Sequence, residues 1–246
     1  METYKTRGEL KREVKDLYHG KWSTAVKLNL VPIFLNIAAV AFIAVFGFIF
    51  IFLFAGLWNY NKTNSDIVSN GGFGTYSGGI LWGFLTALIN TGILYKTVDW
   101  LRTKEAPREF LKSAFSVFSK KYFLGVLVIQ ILTQIFTSLW MLLFIIPGIV
   151  KALAYSQALF IFKDITEINA NGDVSYFDCI TKSRSLMVGH KWRLFVLQLS
   201  FLGWDLLNMM TLGIGSFWLT PYKNGTYAAF YNDLASKSSV QLDNEW

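Results

Sequence analysis

Three stretches of this chain, residues 28–61, 67–95 and 122–150, contain no charged side chain. Each is longer than the roughly 20 residues a helix needs to cross a bilayer's hydrocarbon core. Only 16% of the 246 residues are charged and mean hydropathy is +0.39, whereas a soluble domain carries about 25% charged residues. The expected fold class is therefore all-α: a polytopic transmembrane helix bundle in an integral membrane protein.

Length then constrains topology. The almost entirely apolar run at 122–162, whose one charge is Lys151, would measure about 60 Å as one helix, twice the hydrocarbon thickness. It must fold into a hairpin. Pro147 and Gly148 are the expected structural turn, since proline lacks a backbone donor and glycine tolerates a bend. Residues 192–210 and 211–234 form a weaker pair of segments, the second carrying Gly213, Gly215, Pro221, Lys223 and Gly225.

Charge placement orients these segments. Residues 1–27 hold seven Lys/Arg against four acids, residues 96–121 seven against three, and residues 163–193 five against four. Basic residues beside apolar runs mark the cytoplasmic side. Six spans with a cytoplasmic N-terminus satisfy this bias, and five with an external C-terminus are the alternative. The chain then divides into a cytoplasmic amphipathic segment (1–27), a first hairpin (28–101), an interfacial helix with a second hairpin (102–165), a further such pair (166–235) and a tail (236–246). The Asn/Gly/Ser-rich segment 59–79 would be an external loop. A basic and aromatic cluster, HGKW at 19–22, KKYF at 120–123 and GHKW at 189–192, precedes each hairpin. The amphipathic segment before each cluster is expected to lie with its apolar face in the inner interface.

The blocks SLWMLLFIIPGIVKALAYSQALFIF, SRSLMVGHKWRLFVLQLSFLGWDLL, TLGIGSFWLTPY and AAFYNDL resemble a Gram-positive bacterial family of multi-pass membrane proteins, domain of unknown function 975. The resemblance extends over essentially the whole chain. It implies a plasma-membrane protein and names no reaction.

Two ionisable residues, Lys151 and Asp205, interrupt apolar segments. A charge at mid-membrane is costly and usually faces a bundle interior or cavity. Each lies 12 residues from a presumed inner-face anchor, Lys163 and Arg193, so matched depth allows an ion pair. Lys151 can equally snorkel to the outer head groups. Together with Tyr155 and Gln157 these two form the candidate intramembrane polar site, although polar side chains also stitch helices together. Lys182, Arg184, His190, Lys191 and Arg193 are candidate contacts for anionic lipid, or simple topological anchors.

The single cysteine, Cys179, excludes an intramolecular disulfide and multi-thiolate metal sites. No catalytic residue, metal or cofactor is expected, because no nucleotide-binding loop, HExxH, GxSxG or paired carboxylate is present. GGFGTYSGG at 71–79 follows no strand and reads as loop. The net charge of +7 belongs to membrane anchoring, with anionic head groups as partners and no nucleic acid. The functional expectation is a non-enzymatic membrane protein in an accessory, immunity or ligand-binding role, with a membrane-protein or peptide partner. A small transporter or export component is the alternative, and an intramembrane lipid-modifying enzyme fits less well.

Overall fold

A computed structural model describes residues 4–60, 72–168, 174–211 and 213–237. Ten α-helices and no strand occur among the described residues. They fall into three successive units, each a short helix followed by a long antiparallel pair. The first unit is α1 (Arg7–Tyr18), α2 (Trp22–Tyr60) and α3 (Gly72–Thr103). The second is α4 (Phe110–Ala114) with a 3-10 turn (Ser116–Phe118), then α5 (Phe123–Leu143), α6 (Ile145–Tyr155) and α7 (Ala158–Ile168). The third is α8 (Tyr176–Leu186), α9 (Lys191–Met210) and α10 (Ser216–Lys237). The basic–aromatic clusters sit at the joints between short and long helices. Gly20 and Gly189 both adopt positive φ there, +72° and +78°, the left-handed conformation that ends a helix without a Cβ penalty. The part of the expected external loop at 72–79 belongs to α3, and residues 61–71 lie outside the described residues.

An ionic layer gathers the same end of every unit. Lys163 of α7, 2% exposed, binds Asp99 of α3 and, at 2.8 Å, Glu167. Arg102 of α3 forms a two-pronged bridge to Asp164 at 2.8 Å and reaches Asn232 of α10 at 3.1 Å. Tyr231 of α10 donates its hydroxyl to the same Asp164 carboxylate at 2.6 Å. Arg193 of α9 bridges to the fully buried Asp233 of α10, whose second oxygen faces Lys237 at 2.9 Å. Asp233 also accepts from the Lys5 backbone N–H at 3.1 Å, which fixes the entry to α1. Thus Lys163 and Arg193, expected as simple anchors, are structural cations paired with acids distant in sequence.

α1 departs from the interfacial expectation. Its N-terminus carries a capping box in which Thr6 and Glu9 each satisfy the other's backbone N–H. Its apolar stripe of Leu10, Val14 and Tyr18 is buried and packs on α10 rather than facing lipid. The contact is close at Gly225, where an added Cβ would come within 2.6 Å of Val14 and 2.7 Å of the Tyr18 hydroxyl. α8 behaves similarly: Cys179, Ile180, Ser183 and Leu186 are buried, while Phe177 points outward. The middle unit keeps more of the expected character, with Leu111, Phe115 and Phe118 exposed.

Two described stretches are long and apolar enough to cross a membrane, Phe123–Leu143 and Ile145–Ile168. They form the hairpin that chain length demands, but it turns before Pro147–Gly148. The reversal is at Phe144, which takes extended backbone (φ −156°, ψ 137°) between α5 and α6. Pro147 falls in the first turn of α6, where a missing N–H removes no helical hydrogen bond. Gly148 serves packing: a Cβ there would meet Met141 Cγ at 2.4 Å. The hairpin tip is apolar and exposed, Leu142 to Ile146 being 60–87% accessible. The returning limb breaks at Ser156–Gln157, and Ser183 of α8 holds that break by donating to the Ala154 carbonyl (2.7 Å) and accepting from the Gln157 backbone N–H (3.2 Å).

Candidate functional site

The Lys151–Asp205 pair that matched depth allows does not form, and the two residues enter separate arrangements. Lys151 of α6 sits 4.7 Å above the ring of Trp140 on α5, a cation–π contact near the exposed hairpin tip. Asp205 of α9 pairs with Lys223 of α10, at 3.0 and 2.9 Å from its two carboxylate oxygens. Sequence reading treated Lys223 as a weakness of the last helix. It is the counter-ion that makes Asp205 tolerable.

The depth of this pair follows from helical rise. Asp205 is 12 residues along α9 from Arg193, and Lys223 is 10 residues along α10 from Asp233, Arg193's partner. At 1.5 Å per residue both lie about 15–18 Å from the ionic layer. Their side chains remain 41% and 27% accessible, because they face a groove of about 490 Å³ between α2, α3, α9 and α10. Pro32 and Asn36 of α2, Trp82, Thr86 and Asn90 of α3, and Asn208 of α9 line it. Thr220 and Tyr227 of α10 complete the wall.

An amide cluster forms the groove's floor. Asn224 of α10 donates to Asn29 of α2 at 2.8 Å and to Asn90 of α3 at 2.9 Å, so one side chain ties three helices. Asn29 in turn donates to the Ala25 carbonyl at 2.8 Å. At the other end Asn208 bonds Ser216 at 3.0 Å across the α9–α10 turn. Asn36 of α2 is exposed and lines the groove. This arrangement can bind polar and charged groups. Its one carboxylate is already paired with an ammonium group.

The remaining expected residues fall elsewhere. Tyr155 and Gln157 are buried at the α6–α7 break against α8, and the Gln157 amide donates to Ser156 at 2.8 Å. They stitch helices and are not part of the groove. Arg193 is occupied by Asp233, the Lys5 carbonyl and the rings of Tyr4 and Phe230. His190 packs edge-on against Tyr4, centroids 4.4 Å apart. Burial, followed by the Arg193 charge, lowers its pKa below the ordinary histidine value, so at neutral pH it offers no cation to a phosphate. Arg184 is exposed, while Lys182 and Lys191 are partly so, Lys182 being engaged within the protein. Cys179 is buried and its thiol is pushed up to about 12 by desolvation, which makes it unreactive.

Fold and groove together define an all-helical protein with two stretches apolar enough to cross a membrane and an open groove that carries an ion pair and several amides. The family described as protein of unknown function (DUF975) matches residues 1–156 and 144–238, and the chain belongs to it. No curated protein and no solved structure matches the chain.

Proposed function

We propose that the protein is a multi-pass plasma-membrane protein that binds a polar ligand in the Asp205–Lys223 groove without transforming it. The carrying observation is the position of that ion pair. If the ionic layer marks the inner boundary of a hydrocarbon core about 30 Å thick, the groove lies near the midplane. Paired charges and polar cavities at that depth are the usual mark of a binding site. In this reading the three helix pairs make six crossings, with the N-terminus cytoplasmic and Arg184 and Lys191 at the inner head groups. Native mass spectrometry of protein purified from its own membrane tests the reading. It predicts a stoichiometric bound species in the wild type that is lost from the Asp205→Asn/Lys223→Met double variant. A wild type with no bound species would refute it.

A second reading, a small transporter or export component, draws support from two features. Transporter sites lie near the midplane and use interrupted helices, and the α6–α7 limb is interrupted at Ser156–Gln157. Flux through vesicles containing the purified protein alone would favour it. An accessory or immunity role would instead show as a co-purifying membrane protein or peptide with no flux.

A further inference from the structure

Resting on the groove as a ligand site, we infer that its ligand is a zwitterion, an ammonium group beside a phosphate or carboxylate, carried as the head group of an amphiphile. The charge balance of the site carries the first half. Asp205 and Lys223 neutralise each other at 2.9–3.0 Å. A ligand of one sign would bind one of them and leave its former partner as a lone charge, which is costly in a poorly solvated site. A zwitterion exchanges one ion pair for two, its ammonium group on Asp205 and its anion on Lys223. Asn36 and Thr220, on facing helices of the groove, supply hydrogen-bonding groups beyond the two charges.

The groove's surroundings carry the second half. Trp82 lines the groove and is itself 38% exposed. Leu85 follows it on α3, and Leu202 and Leu206 flank Asp205 on α9, with exposures of 39%, 52% and 57%. A polar groove bordered by outward-facing apolar side chains matches a molecule with a charged head and a hydrocarbon tail.

The test uses full-length protein stripped of lipid in detergent, then offered phosphatidylethanolamine, phosphatidylglycerol or water-soluble glycerophosphoethanolamine, with retention read by native mass spectrometry. The expected result is at least tenfold preference for phosphatidylethanolamine over phosphatidylglycerol. In Asp205→Asn, where Lys223 stands alone, the preference should reverse towards phosphatidylglycerol. Protection of the buried Cys179 thiol reports that each variant is folded. Equal retention of the two lipids by the wild type would overturn the zwitterion. Equal affinity for glycerophosphoethanolamine and the intact lipid would overturn the amphiphile. A species bound in protein from its own membrane, with none of these three probes retained, would sink this inference and leave the groove's ligand-binding role standing.

Discussion

Asp205 and Lys223 lie 18 residues apart in sequence and meet across the α9–α10 pair with both carboxylate oxygens engaged. Each charge is the reason the other can reside in an otherwise apolar region. Neutralising either one alone should therefore cost more stability than neutralising both. A double-mutant cycle on Asp205→Asn and Lys223→Met, read by denaturation in mixed micelles, should give a coupling of about 1–2 kcal/mol. Additive effects would mean that the two side chains do not interact.

The ionic layer should be less tolerant than the groove. Asp164 and Asp233 are nearly inaccessible; Asp164 pairs with Arg102 of α3, and Asp233 pairs with Arg193 of α9 and Lys237 of its own helix. Removing one partner of a buried pair leaves an uncompensated charge, at about 3 kcal/mol or more. Asp164→Asn and Asp233→Asn should each lower stability by that order, while Glu109→Gln, whose pair with Lys112 is exposed, should change little. Equal effects at all three positions would contradict the layer.

Gly225→Ala should displace α1, because the new methyl would meet Val14 and Tyr18 at under 3 Å. Overpacking of this kind costs about 1–3 kcal/mol. Gly203→Ala on α9 meets nothing within 4 Å and should be neutral or slightly stabilising, since alanine is the better helix former. Thermal melts of the two variants make the comparison, and Gly225→Ala at wild-type stability would place α1 elsewhere.

His190 gives a pH signature. Its folded pKa lies below the unfolded value near 6.5, so the unfolded chain binds the proton more tightly. Its contribution to stability is complete above pH 6.5 and is lost as pH falls through the lowered folded pKa. Melting temperature measured between pH 7.5 and 5.5 should fall less steeply in His190→Gln than in the wild type. Parallel slopes would show that the imidazole's setting is no different from water.

Sequence reading recovers the helices and the α5–α6 hairpin because hydrocarbon thickness and chain length impose them directly. It misses the turn at Phe144 because Pro147 in a helix's first turn breaks nothing, and because Gly148 answers to Met141, a contact that no local pattern displays. Asp205 stands out in the sequence as a charge in an apolar segment, but its partner does not. Depth counted from an anchor says how far along a helix a charge lies and nothing about which way it faces. Counting back along α10 from the acid at 233 would have put Lys223 at nearly the same depth. Its neighbours Pro221 and Gly225 instead made the segment look like a failing helix. In the fold Pro221 accepts the Tyr18 hydroxyl at 3.3 Å and Gly225 admits α1, so both residues answer to tertiary contacts. The ionic layer reads as anchors for the same reason: Asp99 and Asp164 meet Lys163 and Arg102 only once the first two units pack, and Asp233 meets Arg193 only once α9 and α10 do.

A polar groove within the membrane layer should show in the reactivity of single cysteines towards a charged, membrane-impermeant thiol reagent in sealed and opened membrane vesicles. Cys179, buried with a raised pKa, leaves a silent background. Asn36→Cys and Thr220→Cys in the groove should react, while Leu207→Cys, exposed on α9 outside the groove and covered by lipid in this reading, should not. Silent groove positions, or equal reaction at all three, would contradict a polar groove embedded in a bilayer.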